Sequence, residues 1–150
     1  MEKLAIRILD PRLGTEWPLP QYASAAAAGM DLRACIDSPL SLAPGQAALV
    51  SAGFAMHIGN ANVGALLLPR SGLGHRGLVL GNLVGLIDAD YQGPVKISLW
   101  NRSHEPLEIA VGERVAQMIL VPVLRPALQV VEEFAATERG DGGFGSTGKQ

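Results

Sequence analysis

At 150 residues the chain fits one domain, long enough to remove about 70% of its unfolded surface from water without a disulfide or metal staple. A formal charge of -2 and a pI near 5.9 exclude the broad basic face that drives general nucleic-acid or membrane-surface binding, so any phosphate site must be local. The single cysteine, Cys35, permits no internal disulfide and reads as a small buried hydrophobe, while His57, His75 and His104 are too scattered for a shared metal site.

Taken in chain order, Leu4, Ile6 and Ile8 alternate with Ala5, Arg7 and Leu9, the period of a strand. No signal-peptide pattern precedes them, and no apolar run approaches the ~20 residues of a membrane-spanning helix, which predicts a reduced, cytoplasmic setting. Residues 25–28 have helix propensity, but Gly29 stops them within about one turn, so a loop or a single turn is expected. Further strands are predicted at 47–54, 65–68 and 78–83, then where Val95, Ile97 and Leu99 alternate with Lys96, Ser98 and Trp100, and at 113–123 and 128–134. Turns separate them at Ala43-Pro44-Gly45, Tyr91-Gln92-Gly93-Pro94 and Val111-Gly112-Glu113. With 18 glycines and 10 prolines punctuating short apolar runs, the expected class is all-β: a distorted jelly-roll or β-clip barrel over residues 1–136. A glycine-rich arm over 137–150 follows.

That arm, Arg139-Gly140-Asp141-Gly142-Gly143-Phe144-Gly145-Ser146-Thr147-Gly148, interleaves five glycines with an Arg, an aromatic ring and two hydroxyls. Glycines let successive N–H groups converge on phosphate oxygens, the hydroxyls add donors, and Phe144 offers a face for a base. The run from Gly143 to Lys149 falls short of a P-loop, because Gln150 stands where a Ser or Thr is needed. An arm this poor in apolar residues either finds its partner elsewhere, where reaching to another copy under closed symmetry gives every copy the same contact, or is only a disordered tail.

Four internal segments carry candidate chemistry. Pro69-Arg70-Ser71-Gly72 puts a guanidinium, a hydroxyl and a flexible amide at a strand end, which suits either an anion site or a turn with a solvated Arg. In Gly85-Leu86-Ile87-Asp88-Ala89-Asp90-Tyr91-Gln92-Gly93, two carboxylates and a tyrosine sit among apolar residues. In an extended hairpin Asp88 and Asp90 share a face, so one could orient water or a metal; for Asp90 the better reading is a turn residue. Asn82 can present a donor and an acceptor to a pyrimidine edge, or satisfy a buried backbone group. Gln117 is the odd polar member of an apolar strand face with Glu113, Val115 and Ile119, and Asp31 lies in an apolar context where an Arg partner or a metal would stabilise it.

Together and in order, Ala-Gly-Met-Asp-Leu-Arg-Ala (28–34), Pro-Arg-Ser-Gly (69–72), Gly-Leu-Ile-Asp-Ala-Asp-Tyr-Gln-Gly (85–93), Gly-Glu-Arg-Val-Ala-Gln (112–117) and Arg-Gly-Asp-Gly-Gly-Phe-Gly-Ser-Thr-Gly (139–148) resemble the five motifs of the trimeric dUTPases, most closely the bacterial ones. The resemblance implies hydrolysis of dUTP to dUMP and pyrophosphate with Mg²⁺ by a homotrimer whose active sites are shared between subunits. That activity keeps uracil out of DNA and supplies dUMP for thymidylate synthesis. By the same resemblance Asp88 activates the attacking water and contacts the sugar 3′-hydroxyl, Tyr91 lies against the deoxyribose and refuses a ribose hydroxyl, and Asn82 reads the uracil edge with the backbone around Leu86, Ile87 and Lys96. Arg70, Ser71, Gly72 and Gln117 hold phosphates, with Arg139, Ser146 and Thr147 arriving from the arm and Phe144 stacking on uracil. Asp31 acts on Mg²⁺ only through water.

Two departures from the family pattern stand out. The connection from Arg70 to Asn82 is one residue short, and Ser146-Thr147 replaces the His-Ser of bacterial relatives. Alternatives on the same scaffold are a dCTP-deaminase-like enzyme, which would carry a catalytic glutamate in place of the Gly-Leu-Ile-Asp signature, and a non-catalytic nucleotide-binding trimer.

Overall fold

The segment with the clearest period-two pattern becomes a central strand. In a computed structural model that describes residues 3–141, Val95, Ile97 and Leu99 of Pro94–Asn101 point into the core while Lys96 points out. Numbered along the chain, the strands are β1 (Ala5–Ile8), β2 (Met30–Arg33), β3 (Leu40–Leu42), β4 (Ala47–His57), β5 (Val63–Pro69), β6 (Leu78–Leu80), β7 (Gly85–Ile87), β8 (Pro94–Asn101), β9 (Leu107–Ile109) and β10 (Arg114–Pro122). One short helix, α1 (Ser71–His75), follows β5. Every strand pair is antiparallel: a sheet in the order β1-β4-β8-β6, a second in the order β2-β10-β5-β7, and the ribbon β3-β9. The fold is all-β with a jelly-roll arrangement, as the turn-punctuated sequence predicts.

The core takes the inward residues of both large sheets, with Phe54, Leu32, Leu80, Ile97, Leu99 and Met118 almost fully buried. Each stabilises the fold by about 1.5–3 kcal/mol relative to exposure. Strand β4 pairs β1 on one edge and β8 on the other, and its register with β8 breaks between Ser51 and Ala55. At the break Gly53 has φ +83°, and its carbonyl accepts hydrogen bonds from the amides of Leu9 and Asp10, both 2.9 Å. A Cβ on Gly53 would sit 2.6 Å from the Cys35 sulfur, so the bend also seats the cysteine. Cys35 is buried, and that burial pushes its thiol up to about 11.

Several sequence expectations change. The predicted strand at 128–134 does not form: Leu128, Val130 and Phe134 are exposed, Pro122 and Pro126 remove two backbone donors, and no strand of this chain pairs with the segment among the described residues. The strand predicted at 78–83 ends at Leu80, since Gly81 turns the chain and Leu83 adopts φ 63°. At β1 the expected inward and outward alternation is lost, because an edge strand paired only with β4 leaves all four residues exposed. Strands β2, β3, β7 and β9 are three or four residues long, too short for a periodicity to register. Residues 25–28 form no helix, as expected.

Candidate functional site

The sheet edge formed by β7 creates the first part of the site. Gly85 lets β7 lie close on β5, since a Cβ there would approach the Leu67 Cβ to 2.9 Å. Paired with β5 on one side only, β7 leaves its other backbone edge open to a ligand. Asn82, Leu86, Ile87, Asp88, Tyr91 and Lys96 all line a pocket of about 220 Å³ beside it. Six of the residues singled out in the sequence therefore converge on one cavity. Asn82 is exposed there, so its amide does not serve a buried backbone group.

Tyr91 is fixed across this pocket by its surroundings. Its hydroxyl donates to the Pro94 carbonyl at 3.0 Å, and its amide donates to the Asp88 carbonyl at 3.2 Å, closing a turn over Asp88-Ala89-Asp90-Tyr91. Any side chain at Gly93 would collide with the ring, a Cβ lying within 2.6 Å of Cζ. The turn overturns the extended-hairpin reading in which Asp88 and Asp90 share a face. Asp88 lines the pocket, whereas Asp90 does not and instead borders a larger open cleft of about 740 Å³ with His57 and Arg125. Asp88 stands on the ridge between the two cavities.

Arg70, Ser71, Gly72 and Gln117 form a second cluster at the far end of β5, and none of them lines the hairpin pocket. Asp31 is paired as the arginine alternative predicts. Its two oxygens accept from Arg70 Nε and from Arg114 Nη1, both at 2.9 Å. Arg70 Nη1 donates to the Arg114 carbonyl at 3.1 Å, which leaves Nη2 as the nitrogen turned to neither partner. Gln117 is held by an Nε2 bond to the Pro69 carbonyl at 2.9 Å, and it packs against Gly29, where a Cβ would come within 3.3 Å of its amide oxygen. A register shift in the β2–β10 pairing between Arg114 and Ala116 breaks the face expected for β10, so Val115 and Ala116 are both buried. Ser71 and Gly72 open α1, whose one turn fills the shortened connection before Gly77 turns the chain at φ +106°.

Arg139 is exposed at the start of the arm, whereas Phe144, Ser146 and Thr147 lie outside the described residues. Sequence reasoning missed Gly93 and Arg114. Both were legible in principle: Gly93 follows the tyrosine by two positions, and Arg114 sits inside the Gly-Glu-Arg-Val-Ala-Gln segment. No group of three or more His, Cys, Asp or Glu that could hold a metal occurs among the described residues. Among them, no helix is long and apolar enough to cross a membrane.

The dUTPase family model matches residues 15–148. Deoxyuridine 5'-triphosphate nucleotidohydrolase from Methylococcus capsulatus is 61% identical over 150 residues, covering 99% of each chain. Its Escherichia coli counterpart is 56% identical over 151 residues, covering all of both. Among solved structures, the dUTPase of Staphylococcus bacteriophage 80alpha with dUPNHPP superposes with a TM-score of 0.86 at 27% identity, over 99% of this chain and 100% of that one.

Proposed function

The chain belongs to the dUTPase family, and from that premise we propose that it hydrolyses dUTP to dUMP and pyrophosphate by attack of an Asp88-activated water on the α-phosphorus. The observation that carries the reading is the hairpin pocket, where one exposed carboxylate, one amide and one fixed tyrosine surround an open strand edge. Uracil is flat and presents alternating acceptors and a donor, which the free β7 backbone and Asn82 match. A 5-methyl group meets the wall of the slot, and cytosine offers the wrong donor pattern. The Tyr91 ring, which cannot retreat past Gly93, refuses a 2′-hydroxyl.

In the reaction the Asp88 carboxylate takes a proton from water as its oxygen bonds to the α-phosphorus. The bond to the bridging oxygen breaks, and pyrophosphate leaves with its electron pair. Arg70, Ser71, Gly72 and Gln117 hold the phosphates, and Arg139, Ser146, Thr147 and Phe144 close over them and the base. Asp31, the carboxylate beside Arg70, would hold a magnesium carried in on the triphosphate only through water, because both its oxygens already accept from guanidiniums. When bound, the ion neutralises phosphate charge. The working unit is a cytoplasmic homotrimer with 1–136 as the barrel and 137–150 as the arm.

Strand length supports the sharing of sites between copies. Ile87 pairs with Ala65, and Arg70 lies five residues farther along the chain. At about 3.3 Å per residue that is roughly 17 Å between backbone positions, a span that a base pocket and a phosphate clamp of two neighbouring copies can divide.

Pyrophosphate release by the purified protein with Mg²⁺ tests the activity. Release from dUTP, with UTP, dTTP and dCTP about 100-fold slower or more, is the expected result, since excluding an added methyl or hydroxyl by shape is worth about that order and a mismatched polar edge more. Equal release from UTP would remove Tyr91 as the sugar gate, and no release from dUTP would contradict the hydrolase reading.

A further inference from the structure

Arg70 has a problem as a phosphate ligand, because a carboxylate is bonded to it. A guanidinium paired with Asp31 at 2.9 Å is close to neutral as a unit, and a neutral unit attracts a triphosphate weakly. The second arginine alters the balance. Arg114 Nη1 lies 2.9 Å from the other Asp31 oxygen, so the triad Arg70-Asp31-Arg114 carries a net single positive charge. The side chains are 30%, 28% and 48% exposed respectively, which leaves Asp31 the most enclosed of the three and Arg114 the most open. The backbone closes the ring, since the Arg114 carbonyl accepts from Arg70 Nη1 at 3.1 Å.

The local fold places Arg114 for this. It sits at the register shift of β10 against β2, where a bulge re-aims a side chain, and it stands opposite Arg33 in the ladder. Like charges facing each other across two strands repel. Arg33 turns away to donate to the Gly112 carbonyl at 2.8 Å, and Arg114 turns to Asp31.

We propose that Arg114 is a positioning residue that neutralises Asp31 and so frees Arg70's charge for the substrate phosphates. The inference rests on the proposed phosphate role of Arg70. Its signature is a reversal of sign: with Arg114 gone, Asp31 quenches Arg70, and removing the Asp31 charge as well restores it. A residue of merely structural importance gives no such recovery.

The test is calorimetric binding of the imido analogue dUpNHpp in EDTA, which removes any contact of Asp31 with magnesium. Arg114→Gln is expected to weaken binding about five-fold, the order of one partly exposed charge pair. Arg114→Gln with Asp31→Asn is expected to return to within about two-fold of the unaltered protein, and Arg114→Lys to stay there. Asp31→Asn alone, which tests the idea even if Arg114→Gln does not fold, is expected to tighten binding. A double variant no better than Arg114→Gln, or weaker binding by Asp31→Asn, overturns the inference. Arg70→Ala separates the two layers: unchanged binding there contradicts the phosphate role itself, whereas weak binding with normal Arg114→Gln contradicts only the role of Arg114.

Discussion

Replacing Asp88 with Asn is expected to lower kcat by about 10²–10⁴-fold, the contribution of a positioned general base, while dUTP still binds. Asn matches Asp in size, and Asp88 is exposed at the pocket lip, so neither packing nor the turn closed by its own backbone carbonyl is disturbed. What the amide cannot do is accept the proton of the attacking water. The expected signature is therefore a loss in kcat with KM little changed, read from steady-state pyrophosphate release and from the affinity for dUpNHpp. Retained turnover would remove Asp88 from the chemistry, and lost binding would make it a substrate ligand first. Asp90→Asn is the natural companion, because Asp90 does not line the hairpin pocket, and its kcat should stay within about three-fold of the unaltered protein, as for a surface change away from the reacting atoms.

A second large effect is expected far from the reacting atoms, at Gly112. Its φ of +72° belongs to the left-handed region, and a Cβ there would lie 2.3 Å from the Trp17 indole. That indole is itself pinned, with the Arg12 guanidinium 4.9 Å above its centroid and Arg12 bonded to Asp10 and the Ile36 carbonyl. The same guanidinium holds the Asp10 carboxyl below the usual range. Trp17 cannot easily yield. Gly112→Ala should therefore combine about 1–2 kcal/mol of backbone strain with about 1–3 kcal/mol of overpacking. At about 2–4 °C per kcal/mol for a chain of this size, the melting temperature should fall on the order of 10 °C. Gly45→Ala isolates the first contribution, because Gly45 has φ +78° but nothing within 4 Å of an added Cβ. Equal loss at both positions would mean that the indole does move aside. The turn at Gly112 also delivers Arg114 and Gln117 to Asp31, its N–H donating a hydrogen bond to the Ala34 carbonyl at 2.9 Å.

Much of this site was legible in the residues, and the part that was not has a physical cause. Val95, Ile97 and Leu99 announced β8 because a strand with one buried face must alternate, and the five ordered motifs announced the family. The strand pattern at 128–134 was equally apolar and misled, because apolar character reports only that a segment seeks a cover. Leu128, Val130 and Phe134 find none among the described residues. Asp31 shows a related limit. Its setting in Met30–Arg33 said that a partner was needed, but only the register of β2 on β10 and of β10 on β5 brings two arginines, 39 and 83 residues away, to its two oxygens. Long-range pairings of this kind leave no local period. The division of the motifs between two ends of β5 was invisible for the same reason, and it is the feature that most shapes the proposed mechanism.

That division can be tested directly by mixing copies. Asp88→Asn and Arg70→Ala proteins, each inactive alone, would be unfolded together in equal amounts, refolded and assayed for pyrophosphate release from dUTP. If each site takes Asp88 from one copy and Arg70 from its neighbour in a closed trimer, every mixed trimer regains one intact site of three. Random assembly then restores about one quarter of the unaltered activity. A mixture no more active than the sum of its parents would mean that base and phosphate clamp work within a single chain, and the shared-site account would be wrong.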